Sequence, residues 1–381
     1  MQHQEWAIVV GAGLNALGVV RSLGARGVRV AGLAKGSGGP ARLSRHATLY
    51  HSIPDYHCLP DRLLALADEL GGRPVLFLTE EEAVRVVSQA RDRLAPRLRL
   101  RLGDHELMLA LTHKEGVQAL AERHGLPIPR AVRLRAAADL AQLAGLRFPC
   151  VLKPGLKHAG YGARFKKAYV VADAAQAREL FHEIAPVLPD LIVQEWIEGG
   201  DDAIYFCLQY MGGEGRPVAS FTGRKLRAWP PQVGGTASCI AAPEAAAELQ
   251  ALTERFFAAT GFQGMGSMEY KRDDRDGRFY VVEPTVGRTD FQQEVATVNG
   301  NNLPYAAYCY ECGLPPPAQV PTAPTIWREP TSDRWSAQSQ GPHPAFSRHA
   351  VRDAYFRWDD CRPWLALQWS RVRQRWARVR G

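Results

Sequence analysis

The chain has 381 residues, 46% of them hydrophobic and 23% charged, with 47 Lys and Arg against 39 Asp and Glu for a net charge of +8. That composition supplies several subdomain cores and excludes a disordered chain. The basic excess suits anionic partners, but no aromatic-interleaved RNA-binding signature or zinc-finger spacing accompanies it, so nucleic acid is not expected. No run reaches membrane-spanning length, and the first residues lack the charged and apolar regions of a signal peptide. Seven scattered cysteines fit a reducing cytoplasm, and the lone pair Cys309 and Cys312 lacks the further ligands of a zinc site.

In chain order, Ala7 to Val10 predicts a strand that ends in GAGLNALG, followed by a helix from Val19 to Gly27 and a second strand from Val28 to Leu33. A strand at Val75 to Leu78 and an amphipathic helix from Glu80 to about Leu94 extend this doubly wound α/β opening. A helix at Thr112 to His124 is stopped by GLPIP. FPCVLKP, a glycine-rich loop and AYVVA then read as two strands around a flexible flap. A helix from Ala174 to Ile184 precedes a buried strand at Leu191 to Trp196, and further strands are expected at Ala203 to Tyr210 and Val218 to Phe221. A helix from Pro243 to Thr260 and strands at Met265 to Lys271 and Phe279 to Glu283 follow. PPPAQVPTAPT, from Pro315, reads as a linker before a tail whose residues Val351 to Gly381 hold eight arginines, three aspartates and four tryptophans. Such a tail either packs onto the body or lies on an anionic membrane surface, and both readings stay open.

Three constellations carry chemistry. Lys153 ends a hydrophobic strand and is followed by Gly155, Gly160 and Gly162, with Lys166 and Lys167 beyond; a fixed ammonium beside a glycine flap suits a polyphosphate. VQEWIEGGDD passes from strand to glycine turn, where exposed backbone can meet an adenine edge and Asp201 or Asp202 can accept from ribose hydroxyls. Glu269 and Glu283 lie on adjacent predicted strands, a carboxylate pair suited to Mg²⁺ or Mn²⁺, and Arg288 follows as a cation for developing negative charge. GAGLNALG is a weak dinucleotide fingerprint: its third position is Ala16, and Lys35 rather than an acid ends the second strand. An NAD(P)-dependent oxidoreductase using that turn is one alternative function, and a non-catalytic ATP-binding scaffold is another. Arg42, Ser44 and Arg45 are visible as unassigned anion contacts.

The order of these motifs resembles the ATP-grasp superfamily, in particular its carboxylate-amine ligase branch with D-aspartate ligase and carbamoyl-phosphate-synthase-like proteins. The resemblance runs from the first strand to about Leu314. It implies a mixed α/β (α+β) fold with a Rossmann-like pre-ATP-grasp domain (1–110), a lid subdomain (111–190), a central subdomain (191–317), and a linker and tail (318–381). It implies ATP contacts from Lys114 and Lys153, an adenine hinge of Gln194, Glu195, Trp196 and Ile197, and a ribose contact at Asp201. Glu269 and Glu283 match the metal-binding acids, with Thr285 where the family usually has asparagine. Lys225 and Arg227, in TGRKLRAWPPQ, become candidate phosphate or carboxylate ligands. The activity implied is ADP-forming ligation of a small carboxylate to an amine in the cytoplasm, by a chain that is a homodimer in many such relatives.

Overall fold

The apolar run AIVV is β1 (Ala7–Val10), buried along its whole length between two parallel neighbours. With β2 (Val30–Lys35), β3 (Leu49–Ile53) and β4 (Val75–Leu78) it forms a sheet ordered β3-β2-β1-β4, all pairs parallel. Parallel pairing requires crossovers, which helices Leu14–Gly24 and Leu59–Leu70 help to supply. Leu17, Val20 and Leu23 fall three apart on the first helix and pack on Val9, Val30 and Phe77. The computed structural model describes residues 5–155, 164–166, 168–232, 234–318, 320 and 322–380, with the side chains of 114, 115, 374, 375 and 377–380 left aside.

The chain divides into two compact units, the larger made of Met1–Thr112, Gly200–Glu269 and Pro284–Gly381 and the smaller of His113–Gly199 and Tyr270–Glu283. In the smaller unit, β5 (Ala131–Leu134), β6 (Cys150–Pro154), β7 (Tyr169–Val171) and β8 (Leu191–Glu195) make an antiparallel sheet ordered β5-β8-β6-β7. Leu152, Val193 and Leu191 bury one face of it with Phe181 and Ile184 of helix Ala174–Ile184. Asp173 caps that helix by accepting from the Gln176 amide at 2.9 Å.

A third sheet contains β9 (Ile204–Met211), β10 (Pro217–Trp229), β11 (Gly235–Ala241), β12 (Gly264–Arg272), β13 (Phe279–Val286), β14 (Thr325–Arg328) and β15 (Ala350–Asp353). Their order is β13-β12-β9-β10-β11-β14-β15. β10 is far longer than the four residues expected at Val218 to Phe221, and β11 is a strand that the apolar pattern does not announce. Polar side chains in buried positions hide both: Thr222, Lys225 and Arg227 in β10, and Thr236 and Ser238 in β11.

Residues beyond 318, expected as a linker and tail, contribute two strands to the same sheet. β14 buries Ile326 and Trp327 completely and pairs with β11, and β15 lies parallel to β14. Beyond β15, Asp360 receives the Arg21 guanidinium and the Ser44 hydroxyl, each at 2.8 Å, and the Arg45 amide at 2.9 Å. Burial raises the Asp360 carboxyl, but these donors outweigh it and hold it below the usual carboxylate range. Ser44 is therefore structural, as is Arg42, whose guanidinium donates to the carbonyls of Ala34, Gly36, Gly38 and His51. Cys309 is buried within helix Leu303–Glu311 and Cys312 caps that helix, so the CxxC pair is a packing feature.

Candidate functional site

Alternation along CVLKP decides where Lys153 points. Cys150 and Leu152 enter the core of the smaller unit, which turns Val151 and Lys153 to the opposite face. There the Lys153 Nζ donates to Gln194 Oε1 at 2.6 Å across the β6–β8 pair. An amide oxygen can only accept from the ammonium, so this bond orients it. Lys166, beyond the flap, is exposed with its Nζ 5.9 Å from the Tyr169 ring. Lys114 opens helix Lys114–Arg123, but its side chain lies outside the described residues, as do Lys167, Gly160 and Gly162.

The segment after β8 is braced from several sides. Glu195 is buried opposite Cys150 and accepts from the Arg147 amide at 2.9 Å. Burial, reinforced by Glu195, pushes the Cys150 thiol up to about 12, so it stays protonated and unreactive. The Trp196 amide donates to the Pro149 carbonyl at 3.0 Å, and its own carbonyl accepts from Arg275 Nη2 at 2.7 Å. The Lys271 ammonium stands 4.8 Å from the centre of the Trp196 ring, and Ile197 is buried beside it in sequence. Arg275 is itself gripped by Asp273 at 2.6 Å, and Arg147 reaches the same carboxylate at 3.1 Å. Burial raises the Asp273 carboxyl, but its bonds to Arg275 and the charge of Arg147 overcome this and hold it below the ordinary range. The sequence marks the segment itself but not Lys271, Asp273 and Arg275; KRDDRDGR reads only as a polar turn, and nothing in its charge pattern tells which strand it reaches.

Two expected ligands in the larger unit are committed elsewhere. Asp201 is buried: one carboxylate oxygen accepts from the Ala228 amide at 2.8 Å and Gln340 Nε2 at 2.7 Å, and the other from the Gln232 amide at 2.7 Å. It anchors the β10–β11 connection, whereas Asp202 of the pair is exposed. Arg227 is likewise buried, donating to Asp333 Oδ1 at 3.0 Å and to the Gly341 carbonyl at 2.9 Å, with its guanidinium over the Phe346 ring. Ser238 donates to the same Asp333 oxygen at 2.9 Å. These contacts hold Arg227 inside the larger unit, and the carboxylate that pairs with it lies 106 positions downstream.

Lys225 and Glu269 are brought together. The buried Lys225 Nζ lies 2.8 Å from Glu269 Oε2, and the Glu269 side chain is only partly covered. At the exit of β13, Thr285 Oγ1 donates to Asp290 Oδ2 at 3.4 Å, and Arg288 Nη1 donates to Asp290 Oδ1 at 3.0 Å and to the Thr289 carbonyl at 3.3 Å. Asn15 of GAGLNALG donates to the Thr289 carbonyl at 2.5 Å, fixing the backbone beside Arg288. Asp290 and Asn15 were not singled out by the sequence reading; each is polar in a polar loop, and only the fold shows what it holds.

Gly287 sets the direction of this exit. Its φ is +73°, and a Cβ there would lie 2.6 Å from Val84 Cγ1 and 2.9 Å from Leu102 Cδ1. Gly287→Ala is expected to destabilise the chain by about 1–3 kcal/mol and to displace Arg288. Urea unfolding checks the first effect, and an unchanged midpoint would contradict the assigned packing.

Around Gly11 and Ala12 the GAGLNALG turn is packed by the chain itself, whereas Gly13 is exposed with open space beside it. The Gly11 carbonyl accepts from Tyr50 Oη at 2.5 Å, and a Cβ at Gly11 would meet Thr79 Oγ1 at 2.2 Å. The Ala12 carbonyl accepts from the Ala41 amide at 3.1 Å, and Gly39 presses against the same carbonyl.

Among the described residues, no cluster of three or more His, Cys, Asp and Glu could hold a metal ion. Glu269, Glu283 and Thr285 offer only oxygen donors, and Glu283 is exposed. Mg²⁺ takes oxygen donors, one or two of them carboxylates, and completes its shell with water and phosphate, which is the donor chemistry each of these side chains offers.

No protein-family model matches the sequence, and a search of curated proteins returns no match. Solved structures do match. The biotin carboxylase domain of 2-oxoglutarate carboxylase from Hydrogenobacter thermophilus, a dimer in complex with MgADP, ADP and bicarbonate, is similar with a TM-score of 0.62 at 15% identity, over 85% of this chain and 74% of that one. The ADP complex of N5-carboxyaminoimidazole ribonucleotide synthetase gives 0.62 at 15%, over 85% and 81%. Phosphoribosylglycinamide synthetase from Anaerococcus prevotii gives 0.63 at 13%, over 81% and 75%. This is the ATP-grasp fold. The ATP-grasp architecture accounts for the order of the three sheets: a parallel N-terminal sheet, a small antiparallel one bearing Lys153, and a large one bearing Lys225 and Glu269.

Proposed function

We propose that this chain is an ADP-forming carboxylate-amine ligase. The substrate carboxylate attacks the γ-phosphorus of ATP, the bond to ADP breaks, and an amine then attacks the resulting acylphosphate and expels phosphate. The observation that carries the reading is the fold, shared at this length with structures that hold MgADP or ADP. Positioning and charge neutralisation supply most of the rate in such chemistry, so a dedicated general base is not required.

Each residue has a part in this reading. Lys153, oriented by Gln194, binds ATP phosphate, joined by Lys114, Lys166 and Lys167. The braced segment Gln194, Glu195, Trp196 and Ile197 receives the base, and Asp202 takes the ribose side. Glu269, Glu283 and Thr285 would hold Mg²⁺, which supplies neutralising charge on the phosphate oxygens. Lys225 keeps Glu269 in place, and Arg288, held by Asp290, faces the charge that develops on the acyl oxygen. Small carboxylates and amines are the partners, and a homodimer is the assembly expected from the relatives. The cytoplasm, where ATP is plentiful, is the compartment that suits the reading.

A coupled ADP-release screen of carboxylates crossed with amines tests it. ADP release is expected to require one acid and one amine together, and Glu269→Gln is expected to lower it about a hundredfold or more while shifting the Mg²⁺ dependence upward. Binding of a nicotinamide cofactor with no response to Mg-ATP would establish the oxidoreductase instead. ATP binding without turnover across the whole panel would establish the scaffold.

A further inference from the structure

Helix Arg362–Arg380 has one half-buried face and one exposed apolar stripe. Trp364, Leu367, Gln368 and Arg371 follow the i, i+3, i+4, i+7 spacing of one face and are half-buried. Trp364 packs edge-on against Phe356, and Arg371 Nη2 donates to Thr331 Oγ1 at 2.6 Å. Leu365, Trp369, Val372 and Trp376 follow i, i+4, i+7, i+11 on another face and are 52%, 66%, 43% and 62% exposed. Trp358, just before the helix, is 89% exposed. Arg362 and Arg373 are exposed beside this stripe.

The charge on this helix selects its partner. Between Arg362 and Arg380 the sequence has six arginines and no acid. A second copy of the helix laid on the stripe would bring like charges together, whereas anionic headgroups pair with the arginines while indole rings settle at the headgroup level. No described helix is long and apolar enough to cross a membrane, so the geometry is that of a helix lying in the interface plane. We propose that the Leu365–Trp369–Val372–Trp376 stripe, with Trp358 and the flanking arginines, docks the protein on an anionic lipid bilayer.

Co-sedimentation of the full chain with phosphatidylcholine vesicles, with and without phosphatidylserine, tests the proposal. Binding is expected only to the phosphatidylserine vesicles and is expected to fall as salt rises. L365Q/W369Q, which keeps good helix formers, is expected to weaken binding by more than about tenfold with an unchanged melting temperature. R362Q/R373Q leaves the apolar stripe intact and is expected to weaken binding about fivefold for each arginine, which keeps the test open should the first variant fail to fold. Absence of vesicle binding by the wild-type chain, or equal binding by R362Q/R373Q, would overturn the proposal. Self-association lost in L365Q/W369Q, without vesicle binding, would assign the stripe to a second copy and overturn it as well. ATP binding, which does not involve this helix, is expected to be the same in all three proteins.

Discussion

Lys153→Ala is expected to lower ADP release, measured with a saturating acid and amine, by about 10²- to 10³-fold, the effect of deleting one preorganised charge that faces the transition state. The expectation rests on geometry as much as on residue type. Lys153 lies on the face of β6 opposite the buried Cys150 and Leu152, and its Nζ is oriented by Gln194 at 2.6 Å. Because the core side of the strand is untouched, folding is expected to survive the substitution within about 1 kcal/mol, the net worth of one hydrogen bond. Two readouts therefore separate cleanly: steady-state ADP release should collapse while the thermal melt stays near wild type. Titration with a non-hydrolysable ATP analogue should show weakened binding as well. Turnover close to wild type in Lys153→Ala would remove the phosphate-binding role assigned to this residue.

The second large effect concerns stability. Asp333→Ala is expected to destabilise the chain by about 3–5 kcal/mol, because it leaves the buried Arg227 guanidinium without its carboxylate. Ser238 loses its acceptor at the same time. Removing both charges should be far milder: R227M/D333A replaces a buried pair with apolar volume, a change that is often close to neutral. Chemical denaturation of the single and double variants measures this directly. A D333A midpoint within about 1 kcal/mol of wild type would show that the pair does not carry this burden. The double variant also settles the role of Arg227, since retained ADP release there would confirm it as a structural cation rather than a substrate ligand.

Both predictions show where local pattern was enough and where it was not. The strands of the β-α-β opening, the helix that opens at Lys114, and the strands at β8, β9, β12 and β13 follow from apolar runs bounded by glycine, proline or charge and lie close to where that periodicity puts them, whereas the first helix is Leu14–Gly24 and begins five residues before its expected start at Val19. A lysine closing a hydrophobic strand is a local signature, and Lys153 does lie on the face of β6 away from the core. Arg227 had an equally suggestive setting, in TGRKLRAWPPQ, yet it serves a buried pair. Nothing within ten residues of it reveals Asp333, because the partner is delivered by helix Pro330–Gln340 from the far end of the chain.

The sequence by itself determined the class of fold, the order of its elements, and the residue types that suit ATP and Mg²⁺: periodicity, turn residues and charge are read over short distances. Tertiary structure alone decided which of those residues are taken. It committed Asp201 to the β10–β11 amides, joined Lys225 to Glu269, set Asp290 and Asn15 around Arg288, and packed Gly11 of the GAGLNALG turn against Tyr50 and Thr79. It also drew residues 325–360 into the large sheet and the first domain through Trp327 and Asp360. The physical reason is common to all of these: burial demands a partner for every charge and polar group, and the partner can come from anywhere along the chain.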